Sequence, residues 1–198
     1  MKQNEFPIVV LLSGNGSNFQ AIIDSIANKM WDITICAAIS DNEQAYGLER
    51  ARQAGIPAIY INPKQYQQRR DYELALQEQI DQFAPKLVIL AGFMRLLSAE
   101  FVDHYQPFLL NIHPSLLPKF KGLHTHQRAL EAGEKMHGCT VHIVSAKMDE
   151  GPILAQMECE ISTDDTAESL QQKVHRLEHI LYPEIINQIA IGQIKLRG

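Results

Sequence analysis

Apolar residues in this chain fall into short runs separated by polar stretches, and the spacing switches between strand-like and helix-like periods. Ile8 to Leu12 is a continuous apolar, β-rich segment, with the length and composition of a buried strand. It breaks at Ser13-Gly14-Asn15-Gly16-Ser17-Asn18, after which Phe19, Ile22, Ile23 and Ile26 recur at helical spacing. Ile33 to Ile39 predicts a second strand, leading through Ser40-Asp41-Asn42 into a helix over Ala45 to Ala54. Ala58 to Ile61 reads as a third strand, Gln68 to Phe83 as a long polar helix and Leu87 to Ala91 as a fourth strand. Leu97 to His104 follows as a short helix and Phe108 to Ile112 as a fifth strand. Such alternation calls for a twisted, parallel sheet with helices on both faces.

Beyond Pro114 the pattern changes to a long loop containing Gly122, His124 and His126, followed by two β-rich runs, Thr140–Ser145 and Ile153–Ile161. The connection through Asp149-Glu150-Gly151-Pro152 is too short for a helical crossover, so this pair is expected to be antiparallel and the sheet mixed. Thr163-Asp164-Asp165-Thr166 offers N-cap residues to a final helix whose apolar stripe is Leu170, Val174, Leu177, Ile180 and Leu181. The fold class is α/β: a single Rossmann-like domain over residues 1–198, with a mostly parallel mixed sheet and an antiparallel C-terminal strand pair.

The 198 residues and 45% hydrophobic content suit one continuous core. A formal charge of −5 without a basic block argues against nucleic acid or an anionic membrane as a partner. Met1-Lys2-Gln3-Asn4-Glu5 lacks the apolar segment of a signal peptide, and no apolar run approaches the ~18 residues of a membrane span, so a cytoplasmic location is expected. Cys36, Cys139 and Cys159 are far apart and odd in number, which reads as buried free thiols. His124 and His126 lack a third partner at a metal-ligand spacing, so no metal is expected and they read as substrate or loop contacts. His104, His137, His175 and His179 read as surface or loop residues, and His142 as a buried, hydrogen-bonded strand residue.

The loop Ser13-Gly14-Asn15-Gly16-Ser17-Asn18 joins a first strand to a helix, where backbone N–H groups and the helix N-terminus can hold a phosphate. Two other readings stay open. A dinucleotide fold would use Asp41 on a ribose, although Phe19 stands where the third glycine of G-x-G-x-x-G belongs, and a tight turn would hold no ligand at all.

Leu110-Asn111-Ile112-His113-Pro114-Ser115-Leu116-Leu117-Pro118 places Asn111 and His113 on one face at the end of the fifth strand. Pro114 then stops the strand. Such strand ends are where ligands bind in open α/β sheets. With Asp149 from Met148-Asp149-Glu150-Gly151-Pro152, the residues supply an amide donor, an imidazole and a carboxylate. Amine attack on an acyl carbon needs a donor for the developing oxyanion and a carrier for the departing proton. Asp149 beside His113 would favour the imidazolium. Taken alone, an Asn-x-His pair can equally satisfy local backbone groups.

These motifs, together with Leu90-Ala91-Gly92-Phe93-Met94-Arg95, Gly122-Leu123-His124-Thr125-His126 and His142, give the chain its likeness to a known family. Over nearly its whole length it resembles the phosphoribosylglycinamide formyltransferases, folate-dependent enzymes of purine biosynthesis. The resemblance implies transfer of the formyl group of 10-formyltetrahydrofolate, the co-substrate, to the amine of glycinamide ribonucleotide by direct attack through a tetrahedral intermediate. It implies that Gly16, Ser17 and Asn18 bind the ribonucleotide, with Glu178 at its amine end. Met94, Arg95, Leu96 and Leu97 would wall the pterin pocket, with Arg69 on the folate side and Asn111 at the formyl group. Asn111, His113 and Asp149 would form the catalytic set. The part about 1–105 would hold the nucleotide, and the part about 106–198 would carry catalysis and folate. Expected partners are these small molecules, with the chain a monomer or weak homodimer.

Phe120-Lys121 departs from the Tyr-Pro pair expected before Gly122, and the C-terminus at Gly198 is short. A formyltetrahydrofolate hydrolase would share the Asn-His-Asp chemistry but needs an N-terminal regulatory domain. A methionyl-tRNA formyltransferase would share Ser115-Leu116-Leu117-Pro118 but needs a C-terminal tRNA-binding domain and a basic surface. A non-catalytic nucleotide-binding module would explain the glycine loop and leave Asn111, His113 and Asp149 as coincidence.

Overall fold

The first apolar run forms β1, Phe6–Leu12, and its alternate side chains enter two separate cores. This is seen in a computed structural model that describes residues 5–196, so the expectations about Met1 to Asn4 and about Gly198 lie outside the described residues. Ile8, Val10 and Leu12 pack with Phe19 and Ile22 of α1 (Ser17–Lys29), Leu48 and Ala51 of α2 (Tyr46–Gln53), and Leu170, Val174 and Tyr182 of α6 (Ala167–Ala190). Val9 and Leu11 face Tyr72, Leu76 and Ile80 of α3 (Arg69–Asp81) and Phe101 and Val102 of α4 (Ala99–Tyr105). Each such fully buried aliphatic side chain contributes about 1.5–3 kcal/mol, so β1 anchors both layers.

The sheet order is β3-β2-β1-β4-β5-β6-β7, with β2 at Ile33–Ser40, β3 at Ala58–Tyr60, β4 at Leu87–Leu90 and β5 at Leu109–His113. These first five strands pair in parallel. The chain winds outward from β1 in one direction to β3 and in the other to β5. The crevice beside the ends of β1 and β4 is therefore the topological switch point where open α/β sheets bind ligands.

β6 (Met136–Ile143) runs antiparallel to both β5 and β7 (Ile153–Glu160). The reversal expected for the last two runs is thus made by β6 alone, and it also forms the β5–β6 seam. β6 starts four residues earlier than the apolar run suggests, because His137 and Gly138 are part of it. His137 is consequently 1% exposed, which corrects its assignment to a surface or loop. The segment after Pro114 is not all loop either. It contains the short helix α5, Thr125–Glu131, whose N-cap is His124 in the left-handed conformation (φ 57°) rather than a capping side chain. His126 lies on that helix.

Thr166 and Ser169 form a capping box that starts α6 where the sequence places it. The Tyr182 hydroxyl lies 3.0 and 3.1 Å from the carbonyl oxygens of Leu90 and Leu110, fixing α6 beneath the ends of β4 and β5. Cys139 is buried, Cys36 and Cys159 are half-buried, and all three are free thiols. Among the described residues no helix is long and apolar enough to cross a membrane.

Candidate active site

The loop after β1 is built for close approach. Gly16 sits at φ 73° as the residue before α1, and a Cβ there would lie 2.8 Å from Gly47 Cα. Glycine is thus required both by conformation and by space. Arg50 pins the loop by donating from Nε to the Asn15 carbonyl at 2.9 Å and from Nη2 to Asn15 Oδ1 at 3.0 Å. α1 begins at Ser17, so the first-turn N–H groups of Ser17 and Asn18 have no intrahelical acceptor. Ser13 joins this loop to the one after β4: its N–H donates to the Gly92 carbonyl at 3.0 Å, and its Oγ accepts from the Met94 N–H at 2.8 Å.

Asn18 Nδ2 donates to Glu178 Oε2 at 2.9 Å, bringing together two of the residues expected at the ribonucleotide from positions 160 apart. Glu178 is 3% exposed, and burial pushes its carboxyl up to about 7 against the opposing pull of the Asn18 bond. The second amide atom of Asn18, Oδ1, is buried without a partner.

The loop after β4 exposes apolar side chains at its mouth, Met94 at 72% and Leu96 at 66%, while Leu97 packs under it against the α3–α4 core. The Arg95 guanidinium lies 3.8 Å from Asp41 and 5.0 Å from the centre of the Tyr72 ring. Arg69 donates from Nε to Glu73 Oε1 at 2.8 Å, and the same oxygen accepts from the Ser98 N–H at 3.0 Å. Arg69 and Arg95 thus both border the Tyr72-Glu73 turn of α3, beside the exposed apolar loop.

At the end of β5, Asn111 and His113 do share a face, and each meets a partner from beyond Pro114. Asn111 stands opposite His142 in the β5–β6 register, with Nδ2 3.1 Å from His142 Nε2. His142 Nδ1 lies 3.0 Å from the Ile143 carbonyl. A carbonyl can only accept, so Nδ1 carries the proton and Nε2 accepts from Asn111. Burial holds the His142 imidazole below its ordinary range, consistent with this neutral form. One N–H of the Asn111 amide is committed to His142, and the other remains for a ligand oxygen.

His113 is held on both sides. Its Nε2 lies 2.9 Å from the Phe120 carbonyl and its Nδ1 3.5 Å from Asp149 Oδ2. Asp149, in the left-handed conformation at φ 55°, also accepts from the Gly122 N–H at 2.8 Å and lies 3.8 Å from His142 Nε2. The three residues of the expected catalytic set are therefore in one cluster, with His142 as a fourth member. The sequence marks His142 as buried and hydrogen-bonded. Its contact with Asn111 follows from strand register, which a single sequence does not give.

The two histidines after Gly122 part company. His124 is exposed at the start of α5, whereas His126 is turned inward with its ring 5.2 Å from that of His137. Burial pushes the His126 imidazole down to about 4. The Cys139 thiol is pushed up to about 12 by burial, which leaves it unsuited as a nucleophile.

The formyl transferase family model matches residues 6–186, an interval that takes in every loop of this cluster. The chain belongs to the formyl transferase family. This formyl transferase is 47% identical to the phosphoribosylglycinamide formyltransferase of Escherichia coli (strain K12), over 96% of its own length and 89% of that relative. It is 41% identical to the trifunctional purine biosynthetic protein adenosine-3 of Bos taurus, over 96% of its own length and 19% of that protein. Among solved structures, the phosphoribosylglycinamide formyltransferase of Coxiella burnetii superimposes with a TM-score of 0.94 at 50% identity, covering 98% of this chain and 91% of that one. The fold of this formyl transferase is thus that of an α/β single domain with a mostly parallel seven-stranded sheet.

Proposed function

We propose that this chain transfers the formyl group of 10-formyltetrahydrofolate to the amine of glycinamide ribonucleotide, the reaction of a phosphoribosylglycinamide formyltransferase. The observation that carries the reading is the cluster of Asn111, His113, His142 and Asp149 at the end of β5, in a chain whose glycine loop is bonded to Glu178. The 47% identity to the Escherichia coli enzyme of that name supports the same substrates. In this reading the protein works on small molecules in the cytoplasm, as a monomer or weak homodimer, with neither nucleic acid nor membrane as a partner.

Gly16, Ser17 and Asn18 would hold the phosphate end of the ribonucleotide, and Glu178 its amine end. Exposed Met94 and Leu96, with Leu97 behind them, fit the flat pterin, while Arg95 and Arg69 fit the anionic part of folate. Asn111 would donate its free N–H to the formyl oxygen as charge develops there. Donation from His113 to that oxygen would share the Nε2 proton with the Phe120 carbonyl, which holds the ring in place at 2.9 Å. Asp149 would take the amine proton toward the folate nitrogen, directly or through water. No protein nucleophile is needed.

Absorbance-monitored deformylation of 10-formyltetrahydrofolate, with and without glycinamide ribonucleotide, tests this reading. Turnover is expected only with the ribonucleotide, and turnover without it would make the chain a hydrolase. Asn111→Ala and Asp149→Ala should each lower kcat by about 10²–10³ with modest change in KM. Near-native kcat in both would remove these residues from the chemistry.

A further inference from the structure

We propose that Lys121 and Glu150 form an ionic clasp that positions the His113–Asp149 pair, an inference that rests on the formyl-transfer reading above. Two short segments lie side by side: Phe120-Lys121-Gly122, leading into α5, and Asp149-Glu150, between β6 and β7. On their inner side, the Phe120 carbonyl accepts from His113 Nε2 at 2.9 Å, and the Gly122 N–H donates to Asp149 Oδ2 at 2.8 Å. That same oxygen faces His113 Nδ1 at 3.5 Å. On their outer side, Lys121 Nζ donates to Glu150 Oε1 at 2.7 Å. One residue beyond each catalytic contact, the two segments are thus joined by opposite charges.

The segments need such a tie. Phe120 and Asp149 both adopt φ 55°, a region that an aspartate tolerates and that a bulky residue such as phenylalanine rarely enters. The Phe120 conformation is therefore imposed by cross-contacts rather than by local preference. Position 121 is also where the chain departs from an expected proline. A proline would stiffen the segment through its ring, whereas Lys121 leaves the backbone freer and supplies a charge. Arg128 secures the far end by donating to the carbonyls of Lys121 at 2.6 Å and Leu123 at 3.2 Å, with its guanidinium 5.6 Å from the Phe120 ring centre. Glu150 is held below the usual carboxylate range by its hydrogen bond from Lys121 and that ammonium's charge. Lys147, 3.9 Å away and 83% exposed, is a weaker second partner.

With Lys121 35% and Glu150 42% exposed, the pair adds little to folding stability. Its effect is therefore sought in kcat rather than in Tm. The pair is tested by kcat and KM measured at low salt and at about 0.5 M NaCl, where exposed ion pairs are screened. The proteins compared are wild type, Lys121→Ala, Glu150→Gln, Lys121→Arg, Lys121→Glu and the reversed pair Lys121→Glu/Glu150→Lys. Lys121→Ala and Glu150→Gln should lower kcat by about two- to five-fold with KM for the ribonucleotide and Tm unchanged. Lys121→Arg should stay near wild type, the reversed pair should recover most of what Lys121→Glu loses, and salt should bring wild type toward Lys121→Ala. Wild-type kcat in Lys121→Ala and Glu150→Gln, or a reversed pair no better than Lys121→Glu alone, would overturn the clasp. A wild-type protein without turnover would overturn the formyl-transfer reading instead.

Discussion

Glu178, proposed for the ribonucleotide's amine end, is a residue whose burial comes at the expense of the fold. Its carboxyl is raised from 4.5 to about 7, first by burial, with the Asn18 hydrogen bond opposing. Below pH 4.5 the group is protonated whether the chain is folded or unfolded, and it costs nothing. Between pH 4.5 and about 7 the folded chain binds the extra proton, so stability falls as pH rises through this window and levels off above it. Glu178→Gln removes the ionisation while keeping the acceptor for Asn18. In urea unfolding the variant should gain on wild type as pH rises through that window, by ~1–3 kcal/mol in total. A difference independent of pH would mean that the carboxyl ionises in the folded protein without penalty. At this scale the sequence is informative where a residue belongs to a motif, as Asn111, His113 and Asp149 do. It is silent where the partner is set by packing, as for Asn18 with Glu178 or Asn111 with His142.

The elements follow the same division. Strands β1 to β5 are visible as short apolar runs because their side chains are buried in the two cores on opposite sides of the sheet, and α1 as a helical period because one of its faces enters the first of them. β6 is the element the pattern truncates, since His137 and Gly138 look like interruptions in a strand. Gly138 is there for contact: a Cβ would lie 2.0 Å from the Met157 carbonyl oxygen and 2.9 Å from Glu158 Cα. Gly138→Ala must therefore push β7 away from β6, because the atoms met are backbone and cannot rotate aside. We expect it to destabilise the protein by ~1–3 kcal/mol, whereas Gly14→Ala, where nothing lies within 4 Å, should stay within about 0.5 kcal/mol. Equal denaturation midpoints for the two variants would contradict the close packing of β6 on β7. The helix α5 escapes notice for another reason: it is seven residues long and begins on His124 rather than on a capping side chain.

The division of roles proposed at about residue 105, with phosphate binding before it and catalysis after it, is not one that the contacts of the whole molecule respect. β4 and β5 pair across it, with Leu90 opposite Asn111. The Tyr182 hydroxyl lies between the carbonyls of Leu90 and Leu110, one from each part. α6, from the end of the chain, packs on α1 near its beginning, where Asn18 bonds Glu178 and Lys29 lies 3.4 Å from Glu184. Neither part closes a core alone, because Leu170, Val174, Leu181 and Tyr182 complete the core that begins with Ile8, Val10 and Leu12. We therefore expect one cooperative unfolding transition. Trp31, the single tryptophan, lies between α1 and β2 and packs against that shared core. Its fluorescence reports on the first part, while far-UV circular dichroism reports on every helix. In urea the two signals should change with one midpoint and one slope, since removing α6 exposes the core on which α1 rests. A tryptophan transition separated from the dichroism transition would mean that the part before about residue 105 unfolds by itself. The meeting place proposed for the substrates would then be an interface between two folding units, instead of the crevice of a single sheet.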